Sequence, residues 1–201
     1  MSDAAKRDVV MSAEAVKPGW DYKRLYVAPS GGDGRTYEEA AAWLAALDCH
    51  IVQDWGCGTA WAKKFFMQRG IRYVGLDYAP GYADEIRDLA EYVGETDGIV
   101  MRHLLEHNFT WKVILRNALA SCRHLALVIF TPFTRGAEPT HVIAWNRLEG
   151  VPDLSLNKAE LTGNFGLWAE RRLETPTQYG EETIFIVQGA RHAVRERQGS
   201  S

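Results

Sequence analysis

The segment Ile51-Val-Gln-Asp-Trp-Gly-Cys-Gly-Thr-Ala60 joins a short β-prone run to an acid at its end, Asp54. Two glycines one residue apart follow, Gly56 and Gly58, and then an apolar stretch of helical character. A strand that ends in an acid and turns on paired glycines into a helix lays out a nucleotide-type site at the carboxyl edge of a parallel sheet. A second β-prone run, Ile71-Arg-Tyr-Val-Gly-Leu-Asp77, also ends in an acid. Two carboxylates are therefore expected side by side at that edge.

The flanking sequence supplies the rest of such a sheet. Thr36-Tyr-Glu-Glu39 reads as a capping box that opens a helix to about residue 47, with Ala40, Trp43, Leu44 and Leu47 on one face. Strands are expected over residues 50–54 and 73–77, and a helix over about 60–69 with Gly70 as its stop. A weak strand falls around 85–87 and a clearer one at 98–102. Trp111, Ile114, Leu115, Ala118, Leu119 and Cys122 recur at helical spacing behind an Asn108 or Thr110 cap. Residues 125–130 form a fully apolar run, as a buried parallel strand requires. A helix is expected over 155–161 behind Asp153 or Ser155, and two strands over 168–175 and 183–188, joined around Gln178-Tyr-Gly180. Strands alternating with helices imply an α/β sandwich with a mainly parallel sheet. The closely spaced last pair requires one antiparallel strand.

At 201 residues the chain fits one domain, here 19–192, between tails at 1–18 and 193–201 that read as disordered. Trp20-Asp-Tyr-Lys-Arg-Leu-Tyr26 concentrates three aromatics that could cover either the site or the sheet. The net charge of −3 gives no support to a nucleic-acid partner, which normally calls for a basic face. Cys49, Cys57 and Cys122 are odd in number and lack paired spacing, which speaks against a disulfide framework and fits a reducing cytoplasm. No apolar run approaches bilayer length, and the amino-terminal residues do not form a secretory signal. The oligomeric state is not legible.

The glycine turn discriminates among cofactors. Dinucleotide enzymes place a third glycine where this chain has Trp61, and a P-loop needs a Gly-Lys-Ser/Thr that is absent. An acid directly before the turn disfavours a pyrophosphate and suits a cationic ligand. A ligand with an amino group, a ribose diol and no phosphate satisfies both acids.

S-adenosylmethionine is such a ligand, and the motifs carry a resemblance. Asp54-Trp-Gly-Cys-Gly58 resembles the first motif of class I S-adenosylmethionine-dependent methyltransferases, and Gly75-Leu-Asp77 resembles their second. Arg87-Asp-Leu89 is similar to the loop after the third strand, and Ile99 to His107 to the fourth strand and its exit. The likeness covers roughly residues 45 to 135 and departs at Ala60, where the family's first motif usually has its third glycine. It implies a Rossmann-like, mainly parallel seven-stranded sheet with helices on both faces and an antiparallel C-terminal strand. It also implies S-adenosylmethionine as cofactor. By the same resemblance Asp54 orients the amino end of the cofactor, and backbone at Trp55, Gly56, Cys57 and Gly58 approaches its methionine part. Asp77 takes the ribose diol, Tyr78 covers an adenine face, and Asp88 and Leu89 border the adenine edge, with Glu85 the second choice there. Arg102 presents its carbonyl to the amino group.

His103, Glu106 and His107 admit several readings. As H-x-x-E-H they match an inverted zinc-protease motif, but no third ligand is apparent and the segment leaves a parallel strand. Some methyltransferases of the class carry E-x-x-E-H here and bind a divalent metal, whereas this chain has His103 in place of the first acid; no metal is assigned. The remaining functional reading makes His103 or His107 a substrate-facing base. The expected activity is methyl transfer to the oxygen or nitrogen of a small molecule, with acceptor choice lying in the N-terminal segment and in residues 132–165. A catalytically silent cofactor-binding partner protein and a methyltransferase acting on RNA or protein are the alternatives.

Overall fold

The computed structural model describes residues 34–79, 82–145 and 151–188. The expected tails, the Trp20–Tyr26 cluster and Pro80-Gly81 lie outside these residues.

The elements, in chain order, are α1 (Arg35–Ala46), β1 (Ile51–Trp55), α2 (Lys63–Met67), β2 (Arg72–Asp77), β3 (Glu85–Ile86) and β4 (Thr96–Arg102). A 3-10 turn (Leu105–His107) leads to α3 (Trp111–Ser121) and β5 (Cys122–Ile129). Then come β6 (His141–Trp145), β7 (Pro152–Ser155), α4 (Lys158–Thr162), β8 (Leu167–Glu174) and β9 (Glu181–Gln188). Seven strands form one sheet in the order β3-β2-β1-β4-β5-β9-β8, and β6 and β7 form a separate two-stranded sheet. β9 alone runs against its neighbours, antiparallel to both β5 and β8. The architecture expected from the sequence is therefore present.

Side-chain alternation sorts the sheet into two faces. Trp55, Ile99, Met101, Leu125, Leu127, Phe185 and Val187 pack with α3 and with Leu161 of α4. Val52, Tyr73, Val100, Ala126, Val128, Ile184 and Ile186 pack with Tyr37, Ala41 and Leu44 of α1 and Phe66 of α2. On the same parity as this second set lie Asp54, Asp77, Arg102 and Glu182. Polar groups at the strand ends thus share one face because they continue the period of one apolar set.

Several local expectations give way to tertiary context. α1 begins after Gly34, in a left-handed conformation, and Thr36 makes no cap; its hydroxyl accepts from Arg102 Nε at 3.1 Å instead. α2 spans Lys63–Met67 and not 60–69, because residues 56–62 are spent on the glycine turn. Cys122, the last member of the helical periodicity, already opens β5. The expected helix over 155–161 is half strand: β7 ends at Ser155, and α4 starts behind Asn157, whose side chain accepts from the Glu160 amide at 2.9 Å.

Candidate active site

The glycine turn is laced to the end of β2. Leu76 O accepts from both the Gly56 and Cys57 amides, at 2.8 and 3.1 Å. Asp77 then closes the turn from the other side: one carboxylate oxygen accepts from Gly58 N and the other from Ala79 N, each at 2.9 Å. Gly56 is required twice over. Its φ is +74°, and a Cβ there would come within 2.8 Å of Leu104 Cδ1. Ala60, at the position of the departed third glycine, keeps the glycine conformation with φ +55°. A left-handed alanine carries a steric cost that glycine would not.

Beneath the turn Asp54 is fully buried. Its Oδ2 accepts the Tyr73 hydroxyl proton at 2.7 Å, and its Oδ1 has no hydrogen-bond partner. Burial pushes its carboxyl up to about 7, against the Tyr73 bond and reinforced by Asp77. Burial also raises Asp77, opposed by the amides it holds.

Other residues singled out in the sequence divide clearly. The Trp55 side chain is core, donating to Gln53 Oε1 at 3.0 Å, so only its backbone reaches the turn. Cys57 is buried, and burial raises its thiol, which suits packing and not nucleophilic chemistry. Tyr78 is exposed beside Asp77. Asp88 uses a carboxylate oxygen to accept the Ala90 amide at 2.9 Å, and the Leu89 side chain is core. Glu85, on β3 beside Leu76, pairs with Arg87 at 2.8 Å. The Arg102 guanidinium is buried, bonded to Glu182 at 2.6 Å and lying over the Tyr37 ring at 5.0 Å. That leaves only the main chain of Arg102 for a ligand at the strand end.

The two histidines differ in kind. His103 follows β4 with φ +54°, an uncommon angle for a side-chain-bearing residue. Its Nε2 is bound to Glu182 Oε1 and its ring lies 4.4 Å from that of Phe130. Burial lowers it to about 4, against the pull of Glu182. His107 ends the 3-10 turn. Its Nδ1 donates to Pro152 O at 2.9 Å and stands 3.3 Å from Asp153 Oδ1. That carboxylate oxygen has no hydrogen bond of good geometry, because the N–H points at the carbonyl; Asp153 acts on the ring as a nearby negative charge. Asp153 Oδ2 accepts from the Tyr179 hydroxyl at 3.0 Å. Burial works to lower His107, but Asp153, Glu106 and the Pro152 carbonyl outweigh it, and the imidazole ends above its ordinary value. Conversely His107 holds Asp153 below the carboxylate range.

Glu106 is wholly buried; it accepts from the Phe130 amide at 2.9 Å, and its other oxygen has no partner. Burial raises it to about 7. Among the described residues no group of three or more His, Cys, Asp or Glu side chains is arranged to hold a metal.

Asp153, Tyr179 and Glu182 were not singled out as site residues from the sequence. Asp153 reads as a helix cap and Tyr179 as turn filler; only folding brings β7 and the β8–β9 hairpin to the exit of β4. Glu182 carried a faint signal, an acid abutting the apolar run of β9 on its buried parity. A cleft of about 700 Å³, lined in part by Arg35, Glu174, Tyr179 and Glu181, opens at Tyr179 beside the His107–Asp153–Tyr179 contacts.

No protein-family model matches the sequence, and no curated protein matches it. Solved structures do. A 1,6-didemethyltoxoflavin-N1-methyltransferase from Burkholderia thailandensis, with its acceptor and S-adenosylhomocysteine bound, is similar at TM-score 0.60 and 19% identity, over 78% of this chain and 79% of that one. The S-adenosylmethionine complex of magnesium protoporphyrin IX methyltransferase from Synechocystis is similar at TM-score 0.57 and 18% identity, over 93% and 100%. A putative RNA methyltransferase from Pyrococcus horikoshii is similar at 0.54 and 12%, over 82% and 88%. The chain has the fold of class I S-adenosylmethionine-dependent methyltransferases, as the motifs imply.

Proposed function

We propose that this protein is an S-adenosylmethionine-dependent methyltransferase that methylates an oxygen or nitrogen of a small-molecule acceptor. The observation that carries the reading is the Gly56–Gly58 turn closed by Asp77 at the carboxyl edge of β1 and β2, within a methyltransferase fold. The donor set suits the cofactor. Asp77 is a carboxylate for a diol, the turn offers close backbone approach, and Asp54 Oδ1 is a buried oxygen without a partner directly below. When bound, the cofactor supplies a methyl group on a sulfonium, already a good leaving group.

The protein's own contribution is alignment and proton handling. Asp77 fixes the turn and remains able to accept from hydroxyls on its outer lone pairs. The main chain at Arg102 and His103 is held rigid by Glu182, which clamps both side chains. An acceptor hydroxyl or ammonium must lose a proton as the new bond forms, and His107 is the suited base. Its Nδ1–H is committed to Pro152 O, beside the Asp153 carboxylate, so Nε2 is the acceptor end of the ring. His103 spends Nε2 on Glu182 and is the weaker base.

A cytoplasmic protein fits the three free, buried cysteines; among the described residues no helix is long and apolar enough to cross a membrane. Calorimetric titration with S-adenosylmethionine and S-adenosylhomocysteine tests the reading. Saturable binding that collapses in Asp77→Ala is expected, and a folded protein that binds neither ligand would overturn it.

A further inference from the structure

Two aromatic rings stand in the open beside His107. Phe109 is 42% exposed and Trp145 is 60% exposed, with ring centroids 6.2 Å apart. Large aromatics this exposed and this close to one another mark a surface that receives something apolar. Their position ties them to the chemistry. Phe109 lies two residues beyond His107. Trp145 pairs across the β6–β7 ladder with Pro152, whose carbonyl fixes the His107 imidazole. One residue, Pro152, therefore connects the aromatic platform to the orientation of the candidate base, and the next residue, Asp153, supplies its counter-charge.

The inner wall of the same region is also aromatic. The Phe130 ring lies 5.4 Å from His107 and 5.5 Å from Tyr179. Charged groups facing His107 are Glu106 on its own turn, Asp153 on β7 and His103 before it, with Tyr179 behind Asp153. Among the described groups facing His107 none is a fixed cation that would recruit a phosphate or carboxylate, which favours a neutral, flat acceptor.

We propose that the acceptor is a planar aromatic molecule bearing an acidic hydroxyl, received against Phe109 and Trp145, with His107 Nε2 facing that hydroxyl. This rests on the methyltransferase reading above and deepens it. In the reaction the acceptor O–H proton passes to Nε2, and the phenolate oxygen forms the new C–O bond to the methyl carbon. The C–S bond breaks with its electron pair going to sulfur, which becomes a neutral thioether, and the imidazolium returns its proton to water. Asp153 and Tyr179 are positioning residues: they hold the ring and stabilise its charged form without touching the acceptor. An acidic aromatic hydroxyl matches an imidazole base far better than an aliphatic alcohol does, which links the platform's shape preference to the relay's chemistry.

The test uses the full chain loaded with S-adenosylhomocysteine, whose own binding is read separately by calorimetry. Binding of 2-naphthol, catechol and cyclohexanol is followed by ligand-observed NMR, and methyl transfer from S-adenosylmethionine by mass spectrometry. The aromatic hydroxyls are expected to bind and be methylated, and cyclohexanol is not. Phe109→Ala and Trp145→Ala should each weaken 2-naphthol binding about tenfold, the size of one stacking contact, with cofactor affinity unchanged; Trp145→Phe should restore most of it. Asp153→Asn should move the acidic limb of the pH–rate profile to lower pH, since His107 loses the carboxylate that raises it.

Cofactor binding with no aromatic ligand bound, or aromatic binding indifferent to both alanine variants, overturns the proposal while leaving the methyltransferase reading intact. A dimer that becomes a monomer in Trp145→Ala, seen by ultracentrifugation, also overturns it and assigns the pair to an interface between copies. Failure to bind the cofactor overturns the underlying reading instead.

Discussion

The proposed cofactor edge and the proposed acceptor mouth lie along the same carboxyl edge of one sheet but are assembled in opposite ways. The cofactor edge is local: Asp54, Gly56, Gly58 and Asp77 fall within 24 residues and are joined mostly through backbone amides. The mouth is gathered from the β4 exit, the β6–β7 sheet and the β8–β9 hairpin, and it is joined through side chains: His107 to Asp153, Asp153 to Tyr179, and Glu182 to Arg102 and His103. A backbone-built site tolerates little variation except in what lies outside the turn. A side-chain-built site can be altered one residue at a time, which suits the part of a methyltransferase scaffold where different acceptors are accommodated.

The contrast can be broken by substitutions confined to one side. The largest expected effect is His107→Ala, which should lower turnover about a thousandfold while leaving calorimetric cofactor affinity near wild type. His103→Ala should cost much less turnover, and equal losses for the two histidines would erase the distinction drawn between them. Asp77→Ala should act in the reverse sense. It removes the acceptor for Gly58 N and Ala79 N together with the proposed ribose ligand, and should weaken cofactor binding about a hundredfold; acceptor binding measured on its own should persist.

A smaller effect concerns stability. Asp54 and Glu106 are raised to about 7 in the folded protein, above the range of an unfolded carboxyl. The native state therefore holds protons that the unfolded state releases, so their contribution is full below about pH 4 and is lost as pH rises through 7. His103, lowered to about 4, acts oppositely: the unfolded state takes up its proton as pH falls below the usual histidine value, and stability is lost down to about 4. The carboxyl part is isolated by difference. Asp54→Asn keeps an oxygen for the Tyr73 hydroxyl, and its melting temperature should gain several degrees on wild type at pH 8 but little at pH 4. Glu106→Gln should do the same at the mouth. A gain equal at both pH values would contradict the assigned protonation.

The smallest effect lies in the turn itself. Ala60→Gly relieves a left-handed alanine and should stabilise the protein by about 1 kcal/mol, visible in denaturant melts without loss of cofactor affinity. Destabilisation would show that the alanine methyl is needed for packing against its neighbours.

The amino-acid sequence by itself determined the alternation of strands and helices, the glycine turn, and the two acids that flank it. Each of these is encoded within a few consecutive residues, by period, by steric freedom or by an acid at a strand end. It also singled out His103 and His107, because both lie on a strand exit that the motifs define. What it did not decide is how each imidazole is held. Only the tertiary structure decided that, by bringing Asp153 and Pro152 to one ring and Glu182 to the other. The local pattern likewise misread Thr36 as a cap and residues 155–157 as helix. The competing bonds come from Arg102 and from pairing between β6 and β7, partners with no signature in the neighbouring sequence. Protonation and proton transfer depend on burial and on charges a few ångströms away, and contacts between residues far apart in the chain are made only when the sheet closes.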